Sequence, residues 1–210
     1  GDIWGLQFDR FLTEDDFNAD GSLKAGLPDQ TKVFPAGYQF APGDVLYKDL
    51  DNNGEIVKQT NTNDKGDLSV IGNALPRLQF GLNLDAAWKG FDISMFFQGV
   101  AKRKLWAAGN QVLPGFTTGE PFYKGAEDYW TPENTDAFYP RPMDYKQSAS
   151  GNYSVNDRYL LNMAYLRLKT FTVGYSLPKV WLSKFKVQGL RVYFTGENLF
   201  TIDGVKPAID

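Results

Sequence analysis

The stretch PRLQFGLNLDAAWKGFDISMFFQ, residues 76–98, alternates apolar and polar side chains on both sides of a Lys89-Gly90 pair. This period of two residues is typical of β-strands with one apolar and one polar face. A Lys-Gly pair between two such runs suits a tight turn. We therefore predict a β-hairpin. Its apolar face carries Leu78, Phe80, Leu82, Leu84, Phe91, Ile93, Met95 and Phe97, and its polar face carries Gln79, Asn83, Asp92 and Ser94.

Later segments continue the strand pattern. Alternation recurs across residues 159–177, where the phase slips at residues 166–169 and predicts a β-bulge, and again at residues 190–195. The Thr-Pro-Glu sequence at residues 131–133 predicts the start of a short helix. Because the sequence has no βαβ pattern and no long amphipathic helix, the predicted fold class is all-β and antiparallel.

Composition excludes several classes of function. The chain has 210 residues, a net charge of −3, no Cys and no His. It therefore lacks the basic footprint of a nucleic-acid-binding protein, and it cannot use disulfides, thiols, histidine bases or Cys and His metal ligands. An all-oxygen cation site remains open. Uninterrupted apolar runs reach only four residues, as at residues 105–108, so no transmembrane helix is predicted.

Two all-β architectures fit this pattern. A soluble carbohydrate-binding β-sandwich would bury the apolar faces between two sheets, whereas a transmembrane β-barrel would turn them toward lipid. The run over residues 76–88 exceeds the usual strand of about 5–6 residues and suits a membrane crossing of about 9–11. Short links at residues 89–90 and 179–188 alternate with long segments at 18–75 and 101–158, which is the outer-membrane pattern. We predict the barrel and keep the sandwich as the alternative.

A series of short sequence blocks then occurs in order along the chain. They are PGDVLYKDLDNNG at residues 42–54, VIGNALP at 70–76, KGFDIS at 89–94, YWTPEN at 129–134, YPR at 139–141, YLRLK at 165–169, VGYSLP at 173–178 and GENLF at 196–200. Each block alone is weak evidence. Together, in this order and spacing, they resemble the SusC/RagA family of TonB-linked outer-membrane transporters over nearly the whole chain.

The resemblance implies the C-terminal part of a transporter barrel of about 22 strands, with extracellular loops at about residues 18–75 and 101–158. The plug domain and the final strand are expected to lie outside these 210 residues. The implied function is import of glycans, or of peptides in some members, across the outer membrane of a Gram-negative bacterium, without enzymatic activity. The implied partners are a SusD-like surface lipoprotein, TonB acting through the missing N-terminal region, outer-membrane lipid, and the oligosaccharide or peptide substrate.

One segment has the spacing of a cation site. Asp49, Asp51 and Asn53 occupy alternate positions before Gly54, like the first half of an EF-hand loop. The twelfth position of that pattern is Thr60 rather than Glu, so a true EF-hand is excluded. Asp67, or Asp64 as the less favoured alternative, could complete the oxygen ligands from further along the chain. We predict a Ca²⁺ site at Asp49, Asp51, Asn53 and Asp67, with a polar turn without an ion as the alternative.

The second long segment is rich in aromatic side chains. These rings could stack on sugars or contact a partner protein, or they could instead pack the segment into an ordered cap. The candidates for ligand or partner contact are Trp106, Phe116, Tyr123, Trp130 and Tyr139. No phosphate-binding loop, nucleophile elbow or metal-hydrolase motif is found.

Overall fold

The computed structural model describes residues 1–59, 61, 63–116, 123–143 and 150–205. Its regular structure is mostly β. The strands are β1 (Asp2–Gly5), β2 (Phe8–Phe11), β3 (Val45–Tyr47), β4 (Ser69–Asn73), β5 (Gln79–Trp88), β6 (Phe91–Val100), β7 (Lys104–Leu105), β8 (Leu161–Asn162), β9 (Tyr165–Ser176) and β10 (Arg191–Asp203). The helical elements are α1 (Lys179–Leu182) and single 3-10 turns at Glu14–Asp16, Lys124–Ala126, Gly151–Tyr153 and Ser183–Phe185. Within the described residues, no helix has the length and apolarity that a membrane crossing requires.

The chain divides into two compact units. The sheet unit comprises residues 76–103 and 163–204, and the loop unit comprises residues 1–75 and 104–162 with residue 205. The segment predicted as one strand at residues 159–177 is divided between them, because β8 pairs with β7 in the loop unit and β9 enters the large sheet.

The sheet unit is a four-stranded antiparallel sheet in the order β10-β9-β6-β5. The predicted hairpin is confirmed: β5 pairs with β6 from Gln79↔Val100 to Trp88↔Phe91. Lys89 and Gly90 have φ angles of 46° and 88°. This is the two-residue turn in which both central residues are left-handed, and its twist matches that of the flanking strands. Within the described residues the sheet stays open, with β5 and β10 as its edges.

The predicted bulge is also confirmed. The pairing of β6 with β9 shifts register between Phe96 and Phe97, which leaves Lys169 as the extra residue of β9. A second shift in β10 lies between Glu197 and Phe200 at the same level of the sheet. The extra residue Lys169 changes the phase of β9, so the apolar side chains of β9 stay on one face along its whole length. The shift in β10 skips two residues, so Phe200 keeps the phase of Val192 and Phe194.

That apolar face is built from cross-strand rows that contain no charged side chain. The rows are Trp88 with Phe91, Tyr175 and Val192; Ala86 with Ile93, Val173 and Phe194; Leu84 with Met95, Phe171 and Gly196; Leu82 with Phe97, Leu168 and Phe200; and Phe80 with Gly99, Leu166 and Ile202. Large apolar side chains of the outer strands β5 and β10 in these rows remain 42–70% exposed. Within the described residues no second sheet covers them, so this face does not show the burial that the sandwich alternative requires.

The opposite face of the sheet is polar and carries an ion pair that spans three strands. The Arg191 guanidinium donates to the Asp92 carboxylate at 3.1 Å and 2.5 Å. Gly174 lies between them on β9, and a Cβ there would come within 2.6 Å of Arg191 and 2.7 Å of Asp92. Glycine at this position therefore lets the long Arg191 side chain lie flat across the neighbouring strand.

The loop unit contains three two-stranded sheets, β1-β4, β2-β3 and β7-β8. One buried cluster joins the β2-β3 sheet to residues outside the strands, and it is formed by Leu6, Phe11, Val33, Phe34, Val45, Tyr47, Ile56, Trp130 and Ala137. The two long segments thus pack together. The helix predicted at residues 131–133 is wrong: Thr131 and Asn134 form a tight turn, in which the Asn134 N–H donates to the Thr131 carbonyl at 3.0 Å and hydroxyl at 3.1 Å.

Candidate functional site

The centre of the loop unit is a fully buried carboxylate, Asp44. It accepts hydrogen bonds from Arg141 Nε at 2.8 Å, Tyr38 Oη at 2.8 Å and Asn152 Nδ2 at 2.9 Å. The backbone N–H of Ala41 donates to its second oxygen at 2.9 Å. A buried charge is tolerated only when it is paired and hydrogen-bonded, as here. We call these five residues the Asp44 hub; they join the two long segments that the sequence separates.

Electrostatics within the hub follow from this burial. Burial lowers the pKa of Arg141 and the hydrogen bonds to Asp44 raise it, with a net effect upward. Burial, followed by the negative charge of Asp44, raises the pKa of Tyr38 well above its usual range. Both side chains therefore keep their protons at any physiological pH. The hub is a fixed structural ion pair rather than an acid–base centre.

Side chains also complete the free edge of β3. The Asn152 Oδ1 atom accepts from the Val45 N–H at 2.8 Å, and the Gln30 side-chain amide bonds both the Val45 carbonyl at 2.8 Å and the Tyr47 N–H at 3.2 Å. Gly43 precedes this strand with φ of 90°, and a Cβ there would lie 2.5 Å from the Trp130 ring. Close packing around β3 thus depends on glycine at position 43.

A cavity of about 430 Å³ opens in the loop unit beside this core. Its walls are mainly tyrosine and proline, with one cationic and one anionic side chain. They are Pro114, Tyr123, Lys124, Ala126, Glu127, Tyr129, Tyr139, Pro140, Pro142 and Tyr153. Tyr123 and Tyr129 are 45% and 41% exposed, whereas Tyr139 and Tyr153 are buried. The cavity therefore has an aromatic floor and two accessible rings, an arrangement suited to flat, partly apolar ligands.

The five predicted contact residues fall into three groups. Trp130 and Tyr139 are buried, and the Tyr139 hydroxyl donates to the Val112 carbonyl at 2.9 Å. Burial raises the pKa of Tyr139 to about 12. Tyr123 is exposed and lines the cavity, while Trp106 and Phe116 are half-buried and do not line it. Sequence patterns alone did not identify Tyr129 as the second accessible ring.

Three of the four predicted cation ligands are close together. Carboxylate oxygens of Asp49, Asp51 and Asp67 lie within 4.8 Å of one another. Desolvation and the neighbouring carboxylates of Asp49 and Asp67 raise the pKa of Asp51. The buried Asp67 carboxylate also accepts from the backbone N–H of Leu50 at 2.8 Å and of Val57 at 2.7 Å, so it fastens this loop.

The fourth predicted ligand, Asn53, is oriented differently. Its amide nitrogen donates to Asp51 at 3.0 Å, and its amide oxygen accepts from the Glu55 N–H at 2.8 Å. Backbone donors also converge on this loop, because the Gly54 N–H donates to Asp49 at 2.8 Å. The carboxylates of Asp49, Asp51 and Asp67 are thus close together, whereas the Asn53 side-chain oxygen accepts a hydrogen bond from the backbone.

The chain is similar in sequence to two TonB-dependent receptors. No protein-family model matches the chain. The chain is 33% identical over 166 residues to TonB-dependent receptor P3 of Formosa agariphila, and 34% identical over 153 residues to TonB-dependent receptor P26 of the same organism. These matches cover 76% and 71% of the chain, but the chain spans only 14% of the length of either relative.

Solved structures extend the likeness to the fold. The RagAB peptide transporter superposes with a TM-score of 0.58 at 18% identity, covering 97% of this chain and 19% of that one. The RagAB peptide importer in its open-open state gives 0.54 at 17% identity, covering 96% and 19%. TonB-dependent receptors are outer-membrane transporters of Gram-negative bacteria and not enzymes. The chain is therefore an outer-membrane protein, homologous over most of its length to the TonB-dependent receptors.

Proposed function

We propose that the chain forms part of the barrel wall and the extracellular loops of a SusC-like TonB-dependent importer. The observation that carries the proposal is the uncovered apolar face of the four-stranded sheet. Its five cross-strand rows extend over about 27 Å, at about 3.4 Å per residue. An outer-membrane barrel needs an outward apolar band about 25 Å tall and a polar interior. In this proposal the apolar rows face lipid and the Asp92–Arg191 face lines the lumen.

Turn lengths set the orientation that we propose. In outer-membrane barrels short turns face the periplasm and long loops face the outside. The Lys89–Gly90 turn and the β9–β10 connection would then be periplasmic, and the loop unit extracellular. A SusD-like lipoprotein would meet the loop unit, and TonB would act through a plug domain and N-terminal region outside these residues. Energy coupling would thus depend on parts of the transporter beyond this chain.

For the substrate we propose oligosaccharides, with peptides as the second class. The aromatic cavity supports either, because tyrosine rings stack on sugar faces and also contact peptide side chains. Lys124 and Glu127 at the cavity wall can donate and accept hydrogen bonds with hydroxyl or amide groups. The accessible rings of Tyr123 and Tyr129 are expected to make most of the contact.

The first test removes both accessible rings. We expect the Tyr123→Ala/Tyr129→Ala double variant to import a fluorescein-labelled glucose oligosaccharide mixture roughly ten times more slowly, since each lost stacking contact is worth about 0.5–1.5 kcal/mol. Uptake by whole cells measures this, and a labelled tryptic peptide mixture forms the second arm. A Phe194→Ala variant, whose ring lies on the apolar face that this proposal turns toward lipid, is the control. Unchanged uptake of both mixtures in the double variant would remove the cavity from the transport pathway.

We also propose that Asp49, Asp51 and Asp67 bind Ca²⁺, which prefers several carboxylate oxygens. Ca²⁺ titration by calorimetry should show one site, and Asp51→Asn should weaken it at least about tenfold because an anionic ligand is lost. Asp15→Asn, an exposed acid elsewhere in the loop unit, should leave binding unchanged. Equal Ca²⁺ affinity in the Asp51→Asn variant would show that these carboxylates do not form the site.

A further inference from the structure

The connection between β9 and β10, residues 178–189, is short but ordered. It begins at Pro178, turns through α1 and the Ser183–Phe185 turn, and reverses at Lys186, whose φ of 57° is left-handed. The Val187 N–H donates to the Leu182 carbonyl at 3.2 Å, and the Leu177 N–H donates to the Leu190 carbonyl at 2.9 Å. Backbone hydrogen bonds therefore fix the conformation of this connection.

Apolar side chains of this connection point outward. Val180 is 75% exposed and Trp181 is 59% exposed, while Leu182 between the two turns is buried. Val187 is 42% exposed. Exposing adjacent large apolar groups on a four-residue helical turn is unfavourable in water, at about 25 cal/mol per Å² of apolar surface. Clustered exposed groups of this kind mark a contact surface.

Three lysines are interspersed with these apolar residues in the sequence of the connection. Lys179, Lys184 and Lys186 are all exposed within the connection. The sequence contains no Asp or Glu from residue 158 to residue 196. The sheet unit as a whole has ten Lys and Arg against four Asp and Glu. The surface of the connection therefore combines exposed apolar side chains with a net positive charge.

The neighbouring turn of the same sheet repeats this combination. Trp88 is 70% exposed, and Lys89 Nζ lies 4.8 Å from the centre of its ring. Trp88 belongs to the row with Phe91 and Tyr175 at the end of the sheet from which the connection starts. At this end of the sheet, each of the two turns thus carries an exposed tryptophan next to lysine: Trp88 with Lys89, and Trp181 in the connection that contains Lys179. Interfacial tryptophan with adjacent cations is typical of contact with lipid headgroups.

We propose that residues 178–189 form a membrane-interface anchor for anionic phospholipid. Val180 and Trp181 enter the headgroup and upper acyl region, and the three lysines bind lipid phosphates. The proposal rests on the proposed function, which places the uncharged rows in a bilayer. Charge complementarity identifies the occupant, because a basic surface without acidic residues matches an anionic lipid surface.

The test places spin labels on single cysteines in the whole transporter that carries this chain. This chain has no Cys, and any cysteine elsewhere in the transporter is replaced by serine. The transporter is reconstituted in vesicles of phosphatidylethanolamine and phosphatidylglycerol in equal parts, or of phosphatidylcholine alone. Accessibility to oxygen and to a water-soluble nickel complex reports the depth of each label. Val180→Cys is the test position, Leu84→Cys reports the uncharged rows, and Ser22→Cys in the loop unit is the water-exposed control.

We expect the Val180→Cys label to be accessible to oxygen and shielded from nickel, and to lie deeper with phosphatidylglycerol. Replacing Lys179, Lys184 and Lys186 by Gln should abolish that dependence on anionic lipid. If the Val180→Cys label is accessible to nickel while the Leu84→Cys label, in its own variant, is embedded in lipid, the anchor proposal is wrong and the proposed function still stands. A label shielded from both reagents would overturn it in favour of a protein contact. A nickel-accessible label at Leu84→Cys would contradict the proposed function itself.

Discussion

Replacing Asp44 by alanine is expected to destabilise the loop unit by about 3–5 kcal/mol, since breaking one side of a buried ion pair leaves its partner charge uncompensated. Arg141 would lose its two hydrogen bonds to Asp44, at 2.8 Å and 3.2 Å, and Asn152 and Tyr38 would lose their acceptor. Hydrogen exchange of the peptide that contains Val45–Tyr47 should accelerate roughly a hundredfold to several thousandfold. The Asp44→Asn variant, which keeps the shape and one acceptor oxygen, should show a smaller acceleration.

The matched control is an exposed ion pair in the same unit. Glu55 pairs with Lys32, and their side chains are 49% and 59% exposed. Exposed pairs contribute about 0–1 kcal/mol, so Glu55→Ala should change exchange of the same peptide by less than about tenfold. Equal exchange rates in Asp44→Ala and the unmodified protein would show that the hub does not hold the two segments together.

Placing arginine in the middle row of the apolar face should have the second largest effect. Met95 lies in the third of the five rows, and an arginine at mid-depth on a lipid-facing strand costs about 2–4 kcal/mol. We expect Met95→Arg to lower the free energy of unfolding of the whole transporter in vesicles by that amount. Urea titration, followed by the gel shift of the folded barrel, measures it.

Gln79→Arg provides the contrast. Gln79 lies on the polar face near the loop end of β5, where a cation in the aqueous lumen loses little hydration. We expect this variant to unfold within about 1 kcal/mol of the unmodified protein. If the two arginine variants lose equal stability, both faces of the sheet are in the same environment, and the assignment of the sheet to a barrel wall is wrong.

The sheet unit could be predicted in detail because its signals are local. The period of two fixes which side chains share a face, and the Lys-Gly pair fixes the turn. Even the bulge at Lys169 was visible as a slip of phase. Strand β4 was missed because Ser69–Asn73 contains only a brief apolar pair, and its partner β1 lies some seventy residues away in sequence.

The Asp44 hub could not be predicted either, because its members are far apart in sequence. Arg141 is 97 positions from Asp44, and Asn152 is 108 positions away. Both Asp44 and Arg141 lie in blocks that carry the family resemblance. A local sequence pattern, however, does not identify which acidic and basic side chains form an ion pair. The carboxylate spacing did predict that Asp49 and Asp51 converge. It could not predict the side-chain orientation of Asn53, which is set by the Glu55 N–H.

Aromatic residues in the loops illustrate a further limit. Trp130 and Tyr139 carried the same sequence signal as Tyr123, but they are core residues that pack the loop unit. Composition shows that rings are present, whereas burial decides whether they hold the protein together or contact a ligand. The accessible pair of Tyr123 and Tyr129 became evident only from the shape of the cavity.

The central claim is that one face of the large sheet meets lipid and the other meets water. A cysteine scan of β6 tests it most directly, with a spin label at each position from Phe91 to Gln98 of the whole transporter in vesicles. Labels at Phe91, Ile93, Met95 and Phe97 should be accessible to oxygen and shielded from the nickel complex. Labels at Asp92, Ser94 and Gln98 should show the reverse. Accessibility without a period of two residues along this strand would contradict the account.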